Sequence, residues 1–247
     1  MTLLRTYRAD LHIHSCLSPC AEWEMSPRRI VSESSRIGLD IIAVCDHNSA
    51  ENAAPAMKIG RKHGITVLPG LEICSREEVH MLAIFPELES AAAMQEFVYR
   101  FLPGENQPDL FGFQVIANEK DEVIAENPRL LIGATTLGLQ EISEKTHEFG
   151  GLSIAAHIDR PAFGLIGQLG FIPDNIQLDA LEVSYRIELN SVVSSIPQAK
   201  GYACITSSDA HRLSDIGRAE TAMRLSGPTF AEVRKCLHNF DQRKILL

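Results

Sequence analysis

Six histidines stand at the ends of short apolar runs in this sequence: His12, His14, His47, His80, His157 and His211, in the company of Asp10, Asp46, Glu72 and Asp209. Imidazoles and carboxylates suit zinc, iron and manganese, with ligand distances of about 2.0 to 2.2 Å for zinc. Packed together without a cation, buried carboxylates would each cost roughly several kcal/mol and would repel one another as well. Divalent ions remove that penalty, so the chemistry these residues point to is metal binding. The other three histidines, His63, His147 and His238, fall in the last turns of predicted helices, where the macrodipole favours a partly charged imidazole, and a structural role is expected for them.

Spacing sharpens the grouping. In Asp10-Leu11-His12-Ile13-His14 the two histidines are two residues apart. On a strand they share a side, with Leu11 and Ile13 packing behind them. The pattern recurs in Ser207-Ser208-Asp209-Ala210-His211. Asp46-His47 closes the apolar run Ile41-Ile42-Ala43-Val44, and His157 closes another after Ala155-Ala156. Only seven residues separate Glu72 from His80, fewer than the roughly dozen that a parallel crossover requires. The strand starting at His80 is therefore expected to run antiparallel to the one ending at Glu72, and its first residue lands at the same end. All members then converge on one rim, where barrel enzymes keep their chemistry.

The elements that must hold this rim alternate as βα units around a parallel sheet. Strands are predicted at Arg8–His14, Ile41–Asp46, Thr66–Glu72, His80–Phe85, Leu152–His157, Ala180–Val183, Ala203–Ser207 and Glu220–Arg224. Ser26-Pro27 opens the first helix as N-cap and first turn, and the run to Ile37 stops at Gly38. A second helix spans Ala53–His63 and ends at Gly64; later ones are expected near Leu139–Phe149 and Thr229–Asn239. Between Pro86 and Gly138 the rhythm breaks into a helix (Ser90–Phe101), a Pro/Gly-rich loop and a hairpin pairing Phe113–Ala117 with Val123–Glu126. The expectation is one domain over 1–247 with an insertion at about 86–138.

Taken together, His12-Ile13-His14, Cys45-Asp46-His47, Pro69-Gly70-Leu71-Glu72, His80, Ala156-His157 and Ser208-Asp209-Ala210-His211 resemble the ordered motifs of the PHP (polymerase and histidinol phosphatase) superfamily over nearly the whole chain. That resemblance implies a distorted seven-stranded (β/α)7 TIM-like barrel with a trinuclear metal site at its rim, and hydrolysis of phosphoesters. It assigns one ion to His12, His14, Glu72 and Asp209, and a second to Glu72, His80 and His157, with Glu72 bridging. A third ion would take His47, His211 and a residue from the loop after the first strand. Family members commonly place Asp or His there, whereas this chain reads Ser15-Cys16-Leu17-Ser18-Pro19-Cys20. Two readings of Cys20 stand: a thiolate ligand favouring zinc or iron over manganese, or a weak or empty third site. Asp10 and Asp46 are expected to orient ligand histidines.

Two or three divalent ions (zinc, manganese or iron) imply a metal-dependent phosphatase in which a metal-bridging hydroxide attacks phosphorus. Positioning and electrostatics supply most of the rate. Glu72 and Asp209 belong to that catalytic set, and Arg160 and Arg186 are the candidates for holding substrate phosphate, with Arg212 a third. Phe97, Tyr99, Phe101, Phe111 and Phe113 of the insertion are core residues by default and a base-stacking wall otherwise. The expected substrate is a small phosphomonoester or nucleotide. The alternatives are a 3'-5' exonuclease on single-stranded ends and a non-catalytic metal-binding module; the first requires a basic track to the site, and the second is opposed by the presence of Glu72, His80 and His157.

Composition sets the outer bounds. With 247 residues, 45% of them hydrophobic and 22% charged, the chain is long enough for one sizeable core and shows neither disorder nor membrane character. A net charge of −9 argues against a general nucleic-acid binder, leaving nucleic acid only as a substrate. The opening Met1-Thr2-Leu3-Leu4-Arg5 lacks a signal-peptide apolar region, so a cytoplasmic address is expected with no membrane partner. The six cysteines contain no CxxC pair and are expected to be free thiols.

Overall fold

A computed structural model describes residues 3–247; Met1 and Thr2, on which part of the leader expectation falls, lie outside it. In chain order the elements are β1 (Arg5–Ile13), α1 (Pro27–Arg36), β2 (Ile41–His47), α2 (Ala53–His63), β3 (Thr66–Cys74), β4 (His80–Ile84) and α3 (Leu88–Tyr99). There follow α4 (Pro108–Phe111), β5 (Val115–Ala117), β6 (Val123–Glu126), α5 (Leu139–Glu148), β7 (Leu152–Ala155), α6 (Leu165–Leu169) and β8 (Ala180–Val183). The chain closes with α7 (Val192–Ser195), β9 (Cys204–Thr206), β10 (Thr221–Leu225), α8 (Phe230–Leu237) and β11 (Lys244–Leu246).

Nine strands form one sheet in the order β11-β10-β1-β2-β3-β4-β7-β8-β9. β1, β2 and β3 are parallel, β4 is antiparallel to both β3 and β7, and β7, β8 and β9 are parallel. The sheet curls until its ends nearly meet. Beyond β9, Ala210 bridges Ile13 of β1, Ser208 N–H donates to Asp10 (3.0 Å), and Thr206 exchanges two hydrogen bonds with the Thr221 hydroxyl. This is the expected distorted barrel, with β10 paired to the first half of β1 and β11 paired to β10. β11 was not foreseen: three residues, Lys-Ile-Leu, are too few to show a period.

One cluster of buried residues takes members from every barrel strand and therefore fills the interior, among them Leu11, Ala43, Cys45, Leu68, Leu82, Ile154, Ala180 and Ile205. Counting on by two from that layer along β2, β3 and β8 reaches His47, Glu72 and Glu182, and counting back from Leu82 reaches His80; all four are buried. Gly70 is required by this layer, because a Cβ there would come within 2.6 Å of the Cys45 sulfur. α1 starts at its predicted cap, with the Ser26 hydroxyl accepting from Arg29 N–H and Pro27 in the first turn. α2 ends on Gly64 in the left-handed conformation at φ 71°.

β1 departs from the simple alternation. Its register with β2 shifts between Asp10 and Ile13, so Leu11 belongs to the interior cluster whereas Ile13 packs outside with Ile42 and Val44. Leu11 and Ile13 are therefore not a common backing layer. The irregularity turns His12 and His14 inward just above Leu11, a use of β-bulges that recurs next to functional sites.

The segment between β4 and α5 is held to the barrel by polar contacts. Asn48 Nδ2 donates to the Leu131 carbonyl (2.7 Å) and Asn52 Nδ2 to that of Val115 (3.0 Å). Val115 N–H reaches Cys16 O (3.0 Å), so the β5–β6 hairpin braces the loop after β1. Among its rings, Phe97 packs against the core, while Tyr99 hydrogen-bonds Ser49 and Asn127 (2.8 Å each). Phe101, Phe111 and Phe113 are exposed, the last 5.4 Å from exposed Trp23.

Candidate metal centre

Four donors meet at the rim. His12 Nε2 and His14 Nε2 lie 3.1 Å apart, each 3.3 Å from a Glu72 oxygen and 3.5 and 3.2 Å from Asp209 Oδ1. Ligand atoms around a single ion at about 2.1 Å stand about 3.0 Å apart in octahedral and about 3.4 Å in tetrahedral coordination. The spacing of these four donors fits such an ion. Two imidazole nitrogens at this distance share at most one proton, one ring donating and the other accepting.

Glu72 is the hub. Besides His12 and His14, its oxygens lie 3.0 Å from His47 Nδ1, 2.8 Å from His80 Nδ1 and 3.1 Å from His157 Nε2. His47, Glu72 and His80 form one trio with ligand geometry, and His14, His47 and His211 another. The antiparallel pairing that puts His80 opposite Cys74 brings it back to this rim, as the short connection requires. Cys20 is exposed, and its thiol helps to raise the His47 pKa.

His157 and Asp209 arrive by a different route. β7 stops at Ala155 and β9 at Thr206, short of the expected His157 and Ser207. Both residues adopt positive φ, 27° at His157 and 48° at Asp209, a sparsely populated region for side chains of this size. The regular i, i+2 geometry expected for Asp209 and His211 is replaced by a turn in which His211 Nδ1 faces the Asp209 carbonyl at 2.9 Å. The strain lies at two of the proposed ligand positions. His157 Nδ1 is also buried without a hydrogen-bond partner.

In protons alone the cluster cannot satisfy itself evenly. Burial opposes charge on His12, yet Glu182, Glu72 and Asp209 raise its pKa well above 6.5. Against the same burial, His14 is pushed up to about 9 by Asp209 and Glu72, and His47 to about 9 by Glu72 and the Cys20 thiol. His80 goes down to about 4, through burial and the neighbouring imidazoles of His47 and His157 despite Glu72; His211 falls to about 3 through burial and His14. Burial pushes Glu72 and Asp209 up, but the imidazoles hold both well below the carboxylate range. Anionic carboxylates draw positive charge onto His12, His14 and His47 while His80 and His211 resist protonation, and a site that attracts positive charge among nitrogen and oxygen donors is suited to cations.

Supporting groups differ in part from those expected. Asp46 accepts from the hydroxyls of Ser15 (2.6 Å) and Ser18 (2.7 Å), and Ser18 Oγ lies 2.9 Å from His14 Nδ1, so it reaches a histidine through one hydroxyl. Asp10 touches no imidazole; it holds the amides of Ser208 and Gly217 (3.0 Å each) and so fixes the turn that carries Asp209. Arg160 Nη1 lies 2.7 Å from Asp209 Oδ2. Arg186 is exposed beside Tyr185, and Arg212 pairs with Glu22 (3.0 Å) at the surface. Three contributors were missed: Arg218, which donates to Ser208 O (2.8 Å) and stacks on Tyr185 at 4.2 Å; Phe163, stacked on His80 at 4.5 Å; and Glu182. The last had a sequence signal, a lone carboxylate inside the apolar run Ala180–Val183.

Residues 189–239 match the family model described as PHP-associated, in a chain whose barrel rim gathers the ordered histidine motifs. Over that segment the chain is similar to PHP-associated proteins. The Bacillus subtilis protein YqxK is 27% identical over 257 residues, covering 96% of this chain and 63% of the relative. The lesion-specific endonuclease PfuEndoQ from Pyrococcus furiosus superposes with a TM-score of 0.76 at 22% identity, covering 98% of this chain and 58% of that one. A Bifidobacterium adolescentis structure described as a metal-dependent phosphoesterase gives 0.61 at 18% identity, covering 94% and 96%. The chain thus spans about three fifths of YqxK and of the endonuclease. Among the described residues no helix is long and apolar enough to cross a membrane.

Proposed function

We propose that this chain is a metal-dependent phosphoester hydrolase. The observation that carries the reading is the convergence of five imidazoles on the two oxygens of Glu72, at 2.8 to 3.3 Å. One carboxylate among so many nitrogen donors is the arrangement of a ligand shared between two ions. His12, His14, Glu72 and Asp209 would hold one ion; Glu72 with His80 and His157 would hold a second; His47 and His211, with Cys20 at hand, would hold a third. Divalent zinc, manganese or iron bound there would acidify a water and offset charge on phosphoryl oxygens.

The chain's own side chains do the rest. Arg160, docked on Asp209 by one nitrogen, retains N–H donors for a phosphoryl oxygen, in the fork geometry that suits guanidinium to phosphate. Arg186 supplies further positive charge from the same side. The buried walls of Leu11, Cys45 and Leu82 exclude bulk water beneath the site, which strengthens each electrostatic contact. We read 1–247 as a single barrel domain with an insertion at about 86–138, and a cytoplasmic setting agrees with six free thiols. The test is a screen of metal-reconstituted protein against an aryl phosphate, phosphorylated metabolites and short oligonucleotides. Hydrolysis that persists undiminished in Glu72→Ala would refute the reading.

A second substrate class is favoured by one observation. Arg186 and Arg218 flank the Tyr185 ring at 5.8 and 4.2 Å, and hydrogen bonding to Arg186 and the charges of Arg186, Arg218 and Arg160 hold the phenol below its usual range. Three guanidiniums on one side of the rim form a local basic patch on an otherwise acidic protein. Such a patch suits a nucleic-acid strand, and the fold is shared with a lesion-specific endonuclease. Strand cleavage whose rate falls steeply with added salt would support this class; salt-insensitive turnover of a monoester would exclude it.

A further inference from the structure

Glu182 lies on β8, fully inside the barrel, and neither composition nor the motif series singles it out. Its Oε1 lies 3.0 Å from His12 Nδ1 and accepts the His157 backbone N–H at 3.1 Å. Its own carbonyl accepts Ile158 N–H at 2.8 Å. The residue therefore grips the turn at His157, where φ is 27°, by main chain and side chain together, while also touching the ring of His12 on a different strand. Other rim imidazoles are held differently: His14 Nδ1 meets Ser18, His211 Nδ1 meets the Asp209 carbonyl, and His157 Nδ1 is buried without a hydrogen-bond partner.

The second oxygen, Oε2, is buried with no hydrogen-bond partner. A purely structural acceptor at this position would be better served by an uncharged amide, since an unpaired buried carboxylate oxygen keeps its full desolvation penalty. The charge therefore needs a reason. An imidazole that donates its Nδ1 proton to a carboxylate is fixed in one tautomer, with the Nε2 lone pair outward and more basic. His12 Nε2 is the atom that faces His14, Glu72 and Asp209.

We infer that Glu182 is a positioning residue for the metal centre, holding His12 as the Nδ1–H tautomer and setting the backbone turn that presents His157. This inference rests on the metal-centre reading of the rim but not on the identity of any substrate. Chemically, the role calls for a hard or borderline divalent cation with nitrogen affinity, such as zinc.

The test uses the full chain, stripped of metal and titrated with zinc against a chromophoric chelator, together with thermal melting of the metal-free protein. Glu182→Gln keeps an acceptor for both N–H groups but removes the charge. Its metal-free melting temperature should equal or exceed that of the unsubstituted chain, while affinity for the tightest zinc falls roughly tenfold. Glu182→Ala should lose roughly a hundredfold, the upper end for carboxylates behind ligand histidines. Nitrogen NMR of the zinc-loaded chain should show His12 protonated at Nδ1. Undiminished zinc affinity in Glu182→Gln, or a loss that tracks an equal drop in metal-free stability, would overturn the inference. A chain that binds zinc normally and hydrolyses no phosphoester would instead defeat the activity reading and leave Glu182 in place.

Discussion

Histidines pair with carboxylates at two ends of this barrel, with opposite results. Away from the rim, His147 at the end of α5 and His238 just past α8 each contact a separate oxygen of Asp179, at 2.8 and 2.9 Å. Asp179 also accepts Ser153 N–H (2.8 Å), and both imidazoles keep access to water. Every partner there is satisfied, and the trio ties two helices to the sheet. At the rim, six imidazoles and three carboxylates are packed with His12 and His14 fully buried, and His157 Nδ1 and Glu182 Oε2 are buried without hydrogen-bond partners. The first arrangement is complete in itself; the second, as proposed, would be completed by cations. Counting histidines beside acids does not separate the two, whereas burial and the unpartnered polar atoms do.

Substitutions in the two regions should separate accordingly. The largest effect is expected from Glu72→Ala, which removes the shared carboxylate: metal content by elemental analysis should fall below one ion per chain and aryl-phosphate hydrolysis should drop at least about a thousandfold. Arg160→Ala comes next, with turnover reduced roughly a hundredfold and zinc affinity nearly kept, because Arg160 is proposed to act on the phosphoryl group; steady-state kinetics and zinc titration check the two halves separately. Asp179→Asn should leave metal and activity alone and cost about 1 to 2 kcal/mol in chemical denaturation. Burial pushes the Asp179 pKa up, but His147 and His238 hold it below its ordinary 3.8. Its contribution is therefore present above that value and lost as pH falls through the depressed folded-state pKa, so the gap to the unsubstituted chain should close in acid. His63→Ala, at the exposed end of α2, should shift stability by no more than about 0.5 kcal/mol and change no metal stoichiometry.

Much of this was legible in the sequence because it depends on period and spacing. Alternation along β2 and β3 delivers His47 and Glu72 to the interior layer, and the seven-residue gap before His80 forces the antiparallel return. The rest depends on backbone conformations that leave no mark in composition. His157 and Asp209 face the cluster through positive φ rather than by strand alternation, and the register shift in β1 lets Leu11 and His12 both point inward. Asp10 looked like a partner for His12 from proximity in sequence, yet main-chain amides of the Asp209 turn claim it. Glu182 escaped notice because it lies 170 residues from His12 and only closure of the barrel brings them together. Its charge in an apolar strand was the available sign.

The central claim is that the rim is a cation cage rather than a self-contained polar network. Zinc titration of the metal-stripped chain, read by calorimetry alongside elemental analysis, addresses it most directly. Saturable uptake of more than one ion per chain, with proton release and abolished by Glu72→Ala, is the predicted result. A chain that takes up no zinc, manganese or iron while its fold stays intact would contradict it.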